Sequence, residues 1–405
     1  MTRGSGPRRR RLLWIGLGLL LAELVLVAMV TFRRSKPAAL DWDEIVPDDP
    51  RVAGIFATLE HDGLQAAMDS LVRQAAADSV VLRGGHQLAH ALGRRSLASN
   101  GGDPSVIAQC RPEFGAGCFH GVVEAFLNAS GGIDMPVLER MCTGAGGTRG
   151  PGAVYECMHG LGHGVVGVLG LDYNRALGYC DALSRPRFDT SCQEGVFMEA
   201  IDNAIADSAA ASRPGHGGAT AHGAGAHAHH DHGGAPGSRI QVVSGDPYSP
   251  CAAIGDAHAA SCWIFQGFLI LRAARFDPAV ALHVCDAAPE GRAARCYQSI
   301  GHQLTGLLQR DDAWTLRQCG KGRPEMAAEC AAGATLALNA IDWSGAHSAR
   351  FCGAAPAGWR STCYDAAAAS LTYYAPGDQV ERFCVGSGPE YADTCRQAAA
   401  AAERT

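Results

Sequence analysis

The chain has 405 residues, with 34 basic and 40 acidic side chains and a net charge of −6 when histidine is neutral. That balance excludes the broad basic surface a nucleic-acid binder needs, since no stripe of Lys and Arg occurs outside the N-terminus. Aromatics are only 7% while alanine and glycine abound, a composition suited to closely packed helices and not to a β-sandwich.

Residues 1–11 form a basic tail, and residues 12–32 are an apolar run. Its 21 residues, rising about 1.5 Å each, reach across a hydrocarbon core of roughly 30 Å. No small-x-small cleavage site precedes Arg33 and Arg34, so the run is expected to be an uncleaved transmembrane signal anchor. Arg3, Arg8, Arg9, Arg10 and Arg11 outnumber Arg33, Arg34 and Lys36. This places the N-terminus in the cytoplasm and the body in the periplasm or outside the cell. Glu23 in mid-span reads either as one tolerated carboxyl or as a contact for a helix partner in the bilayer. Residues 33–49 are a linker.

Residues 50–204 make an N-terminal helical lobe. Its first unit is expected to place a helix over residues 64–76, with Leu64, Ala67, Met68 and Leu71 on one face, and a second over residues 80–97. From there sixteen cysteines fall into eight successive pairs: Cys110 with Cys118, Cys142 with Cys157, Cys180 with Cys192, Cys251 with Cys262, Cys285 with Cys296, Cys319 with Cys330, Cys352 with Cys363 and Cys384 with Cys395. The last five pairs share a spacing of eleven, and their first members recur every 32 to 34 residues. A period near 34 is the length of a helix–turn–helix repeat. No cysteine is left over and no C-x-x-C occurs, which argues for disulfides in an oxidising compartment.

Residues 277–309 show how one unit is built. Asp277 can cap a helix with Pro278 at its opening position, Cys285 lies in its last turn, APEG supplies the turn, and Cys296 lies in the first turn of a second helix. Antiparallel helices joined so tightly bring the two cysteines within bridging reach. About nine such units fit residues 50–405. Residues 205–245, rich in Gly, Ala and His, cannot pack a core and are expected to replace one helix by a surface loop. Residues 246–405 form the C-terminal lobe. In a general way the array resembles the Sel1-like and tetratricopeptide classes of α-solenoid, without the diagnostic tetratricopeptide residues. The expected fold is therefore all-α, a disulfide-stapled α-solenoid behind one N-terminal transmembrane helix.

Aligning the second helix of each unit on its cysteine brings a further pattern into register. Two positions after the cysteine stand His120, His159, Glu194 and Gln298; six positions after it stand Glu124, His163 and His302. Unit one, with Gly84 in place of the cysteine, supplies His86 and His90. Ten histidines lie outside the low-complexity loop, and six of them occupy these two positions. Residues four apart share a helical face, and neighbouring helices lie about 8–10 Å apart, so ligands from successive units can converge. A hydrogen-bonded core network and a pH-sensing cluster are the competing readings. Against them, units seven to nine read CAAGATLAL, CYDAAAASL and CRQAAAAAE, so the repeat itself does not demand histidine.

His86, His90, His120, Glu124, His159 and His163 are accordingly the first candidates for metal ligands, with Glu194 as a further ligand or general base and His302 reaching in from the opposite lobe. This set exceeds one ion's needs. Two ions of Fe, Cu, Zn or Mn are expected from its nitrogen and oxygen donors. The design is similar in logic to deoxyhypusine hydroxylases, where His-Glu pairs on stacked helical repeats hold two irons, although His-Glu dipeptides are absent here. Glycine after the first ligand (Gly121, Gly160, Gly195) leaves either room for an ion or a close helix–helix contact. Six histidines between residues 216 and 232 suit weak, exchangeable metal binding, and compositional drift explains them equally well. No phosphate loop, G-x-S-x-G or H-E-x-x-H occurs. The expected function is a membrane-anchored extracytoplasmic metalloprotein, foremost an oxidative di-metal enzyme. The alternatives are a metal-handling protein without catalysis, and a scaffold whose groove takes a protein or peptide while its histidines serve the core.

Overall fold

The computed structural model of the chain describes residues 51–211, 243, 245–306 and 311–404. Among these, helices and turns are the only regular structure. The basic tail, the expected anchor at residues 12–32 with Glu23, the linker, and residues 212–242 and 244 of the histidine-rich segment lie outside the described residues. Residues 205–211, expected as the start of that loop, are helical and continue the helix that begins at Pro186. No described helix is long and apolar enough to cross a membrane.

The first helix, α1 (Ala53–Asp62), precedes the first expected unit; it has no capping side chain to announce it and buries Ile55, Phe56 and Leu59. It packs on α2 (Leu64–Ala77), the expected opening helix. The second helix of this unit is not continuous. It divides at Gly84 into α3 (Ser79–Arg83) and α4 (Gly85–Ser99). Packing is close beside the break: a Cβ on Gly85 would stand 2.3 Å from the Phe114 ring.

Each later unit pairs a short outer element with a longer inner helix. Unit two has only a 3₁₀ turn, Pro104–Gln109, before α5 (Gly117–Ser130). Units three and four are α6 (Met135–Arg149) with α7 (Pro151–Val168), and α8 (Tyr173–Cys180) with α9 (Pro186–Ala211). In unit five the outer helix is reduced to the turn Cys251–Ala253 before α10 (Asp256–Ala273), as the low-complexity insertion implies. Four regular hairpins follow: α11 (Pro278–Asp286) with α12 (Ala293–Gly306), α13 (Asp312–Cys319) with α14 (Ala327–Ile341), α15 (Ala346–Ala354) with α16 (Arg360–Tyr374), and α17 (Gly377–Gly386) with α18 (Ala392–Ala402). Aspartates start three of the outer helices by accepting backbone N–H groups: Asp277 from Ala279 at 2.9 Å, Asp311 from Trp314 at 2.6 Å and Asp172 from Arg175 at 3.1 Å. Such caps satisfy donors that the helix cannot pair internally.

All eight expected bridges are present, with Cα–Cα distances of 5.3 to 5.6 Å, and no cysteine is free. In the N-terminal lobe Cys110, just after the 3₁₀ turn, is bonded to Cys118 of α5, Cys142 of α6 to Cys157 of α7, and Cys180 of α8 to Cys192 of α9. In the C-terminal lobe Cys251 is bonded to Cys262 of α10, and Cys285 of α11 to Cys296 of α12. The last three hairpins are closed by Cys319 with Cys330, Cys352 with Cys363 and Cys384 with Cys395. The placement differs from expectation in one respect. Cys296, Cys330, Cys363 and Cys395 lie in the first turn of their inner helices, but Cys157, Cys192 and Cys262 lie in the second. Those three helices begin earlier relative to their cysteine, as in α7 with Pro151 at its opening position. Closing a loop of this size contributes on the order of 3 kcal/mol through the unfolded chain. Eight such bridges imply an oxidising, extracytoplasmic setting.

The inner helices pack on one another in chain order, and α16 returns onto α7. Helices α7, α9, α10, α12, α14 and α16 therefore close a circuit. Aromatic side chains make the closing contact. The Tyr155 ring lies 5.0 Å from those of Tyr373 and Tyr374, Trp343 packs against Gly152 and Arg187 donates to the Thr372 carbonyl at 3.1 Å.

Glycine sets how closely the inner helices approach. A Cβ on Gly121 would stand 2.0 Å from the His90 carbonyl oxygen, and one on Gly195 would stand 2.0 Å from that of His159. On Gly160 it would stand 2.8 Å from the His120 Cα. These glycines are sites of helix-on-helix contact, and the backbone they touch is that of the neighbouring histidines. Overpacking of this kind typically costs about 1–3 kcal/mol. Gly121→Ala is expected to lower stability by at least that amount in chemical denaturation. Gly167→Ala, whose Cβ would meet nothing within 4 Å, should leave stability unchanged or slightly raised.

Candidate metal centre

Three histidines converge where α4 meets α5. His86 and His90 lie one turn apart on α4, and His120 faces them from α5. His90 Nε2 stands 3.1 Å from His86 Nε2 and 3.2 Å from His120 Nδ1. Among the described residues this is the one set of three or more candidate ligands whose donor atoms all lie within 4.8 Å of one another. His86 and His90 are partly buried, and His120 is only 1% exposed.

The outward nitrogens of the first two rings are held by acceptors. His86 Nδ1 donates to the Phe114 carbonyl at 2.7 Å. That carbonyl is aimed by a turn in which Phe114, Gly115 and Ala116 have φ of 59°, 59° and 57°. The left-handed region is costly for residues with a Cβ, and such strain concentrates at functional sites. Here the turn lies inside the short loop closed by Cys110 and Cys118. His90 Nδ1 donates to Glu124, 3.1 Å from Oε1 and 3.3 Å from Oε2, and Arg94 donates to the same carboxylate at 3.0 Å.

These anchors fix the tautomers. A carbonyl only accepts, so the proton of neutral His86 sits on Nδ1 and its Nε2 carries a lone pair. The same holds for His90 while Glu124 is ionised. Two lone pairs thus face each other at 3.1 Å, an arrangement relieved by a cation held between them or by an N–H of His120, whose Nδ1 lies 3.2 Å from His90 Nε2. A histidine whose other N–H is held by a carboxylate or backbone carbonyl is the usual form of a metal ligand.

The remaining candidates divide. His159 and His163 on α7 join the cluster: their ring centroids lie 5.0 and 5.1 Å from that of His120, and 5.1 Å from each other. His163 Nδ1 donates to Glu199 at 2.9 Å, a carboxylate that also accepts from the Asn203 amide at 2.9 Å. Glu124 stands at the outer nitrogen of His90, in the position of an orienting partner. Glu194 accepts from the Tyr155 hydroxyl at 2.6 Å and is not part of the triad's compact donor set. His302 reaches the edge of the cluster through Phe265, whose ring lies 6.2 Å from both His302 and His159.

Four participants escape the register of the repeats. Glu199 falls seven positions after its cysteine, one beyond the aligned column. Glu156, Oε2 of which is 3.8 Å from His120 Nε2, precedes its cysteine. Arg94 lies one turn past His90, and the Phe114 acceptor belongs to the backbone. The spacing His163 to Glu199 parallels that of His90 to Glu124, and this was the signal available for Glu199.

Burial governs the protonation of the cluster. Desolvation, aided by the neighbouring His90, brings His86 down to about 3, and desolvation alone brings His302 to about 4. Burial likewise holds His120 and His159 well below the ordinary range, with other histidines adding to the effect. Burial also pulls on His163, but its hydrogen bond to Glu199 and the charge of that carboxylate outweigh it, so its pKa rises. Neutral imidazole is the form that binds metal. The carboxyls move the opposite way. Burial, then the nearby Glu194, raises Glu156 to about 8, and burial raises Glu194 to about 7 against the Tyr155 hydrogen bond.

No protein-family model matches the chain, and no curated protein or solved structure matches it either.

The shifts make stability depend on pH in a definite direction. His86 and His302 take up protons only near pH 3 and 4 when folded but near 6.5 when unfolded, so their contribution is lost as pH falls below 6.5. Glu156 and Glu194 keep their protons to about pH 8 and 7 when folded but lose them near 4.5 when unfolded, so theirs is lost as pH rises through that interval. Calorimetry of the chelator-treated protein should find its highest Tm between about pH 4.5 and 6.5. Glu194→Gln should flatten the decline toward pH 8 and leave the acid limb unchanged.

Proposed function

We propose that this chain is an extracytoplasmic metalloprotein, anchored in the membrane by residues 12–32, whose metal rests on His86 Nε2, His90 Nε2 and His120 Nδ1. The observation that carries this reading is the pair of lone pairs facing each other at 3.1 Å, with the third imidazole nitrogen 3.2 Å away. Both rings of α4 direct their protons outward to Phe114 and Glu124. A structural network would therefore rest on the single N–H of His120 Nδ1 and would leave His86 Nε2 without a donor from α4, whereas a metal ion uses all three nitrogens. Three imidazoles suit Zn, Cu, Fe or Mn, and three protein ligands leave a coordination position open, as catalytic sites do. On that ground the leading activity is metal-dependent oxidation of a substrate admitted to the open position. The inner helices would then be the concave side of a curled α-solenoid that carries the centre.

A metal-handling role without catalysis is the second reading, favoured by the six histidines between residues 216 and 232. Consumption of O₂ or peroxide by the metal-loaded protein separates the two. Either way the purified protein should contain at least one equivalent of a transition metal by elemental analysis. His86→Ala and His90→Ala should each weaken retention far more than tenfold, because losing a ligand exceeds the roughly 10–100-fold effect of losing a ligand's partner. Glu124→Gln should fall within that smaller range. Deleting residues 214–236 should leave tightly held metal in place. A metal-free protein whose histidine variants lose stability and nothing else would contradict the proposal.

A further inference from the structure

His120 differs from His86, His90 and His163 in having no outward anchor. Its Nδ1 points at the triad, 3.2 Å from His90 Nε2. Its Nε2 is buried and has no hydrogen-bond partner; the carboxyl beside it is that of Glu156, with Oε2 at 3.8 Å. On the same side, His163 Nε2 is also buried and has no hydrogen-bond partner, while its Nδ1 is tied to Glu199 at 2.9 Å. The His120 and His163 rings lie 5.1 Å apart at an interplanar angle of 28°. His163 thus repeats the arrangement of His90, with a carboxylate on the outer nitrogen and a bare inner one.

An orphaned nitrogen in a dry interior costs free energy unless its proton or lone pair finds a partner. With Nδ1 on the first ion, His120 Nε2 carries the ring proton and becomes a donor atom once that proton leaves, while His163 Nε2 already has a lone pair. Two such nitrogens beside a carboxyl are a donor set of the kind that binds a cation, and a protein spends histidines this way where ligation offsets the burial. Their donors are more widely spread than those of the triad, so the site gathers as the ion enters.

We propose a second metal site formed by His120 Nε2, His163 Nε2 and Glu156, joined to the triad site through His120 as a bridging imidazolate. This rests on the triad being a metal site. His120 gives its remaining ring proton to solvent as the second ion binds, and each of its nitrogens then holds one ion. With metal–nitrogen bonds of about 2.0–2.1 Å on either side of the ring, the two ions stand roughly 6 Å apart. The pair is electronically coupled through the ring, and one carboxylate makes the second ion's surroundings unlike the first's. His159, stacked 5.0 Å from His120, walls the second site.

Copper(II) is the probe. The full chain, stripped of metal, is titrated with copper(II) while bound copper and EPR spin intensity are both counted. The first equivalent should give one spin per copper. The second should bind with loss of intensity, because ions sharing an imidazolate pair their spins. His163→Ala should stop at one equivalent with full intensity, and Glu156→Gln should weaken the second equivalent at least tenfold and leave the first as it was. Near-normal thermal melts of both variants would show that the fold survives, and the count on the unsubstituted chain needs no variant. Two equivalents with full, uncoupled intensity would overturn the bridge. Saturation at one equivalent would overturn the second site and leave the triad standing. Binding of no copper would overturn the triad itself.

Discussion

The separation between adjacent inner helices is the constraint on which this structure depends. Imidazole side chains from different units can share one ion only if their helices nearly touch, and glycine opposite a backbone carbonyl is what permits it. Gly121 lies against the His90 carbonyl and Gly160 against the Cα of His120, so the residues that set the spacing rest on the backbone of the candidate ligands. A methyl group at either place would push α4 from α5, or α5 from α7. Helix formation is weakened by about 1 kcal/mol for each such glycine relative to alanine, and the bridges at each hairpin help to offset it.

The disulfides act at a different level. Each one ties an outer element to the first or second turn of the inner helix, which fixes the rotation of that helix and therefore which residues face its neighbours. This explains why counting from the cysteine located His120, His159 and His163 in the sequence, and why His86 and His90 emerged once Gly84 was placed in the same column. Hairpin boundaries were legible for the same reason, since Asp277 and Pro278 mark a helix start by local chemistry alone. What was not legible depends on contacts between distant parts of the chain. The return of α16 onto α7 rests on Trp343, Tyr373 and Tyr374 meeting Gly152 and Tyr155, and no local period announces such a meeting. Phe114 acts through its carbonyl, which has no residue signature, and Glu199 lies one position outside the aligned column.

Register also says little about the role of a carboxylate. Glu124 and Glu194 look alike in the alignment, two acids in helical columns rich in histidine. In the fold Glu124 binds the outer nitrogen of His90 and Arg94, while Glu194 receives the Tyr155 hydroxyl. Glu156, absent from the columns, is the carboxyl nearest an inward nitrogen. The sorting follows from which side of each imidazole an acid can reach. That is a property of helix rotation and rotamer, and spacing alone does not contain it. The outcome is a cluster whose outer rim is tied by carbonyl and carboxylate and whose inner nitrogens are bare.

X-ray absorption at the metal edge of the protein as isolated tests the central claim most directly. The account predicts nearest neighbours of nitrogen and oxygen only, at roughly 2.0–2.1 Å, with the more distant scattering of imidazole rings. A metal surrounded by sulfur at about 2.3 Å, or no absorption edge at all, would contradict it.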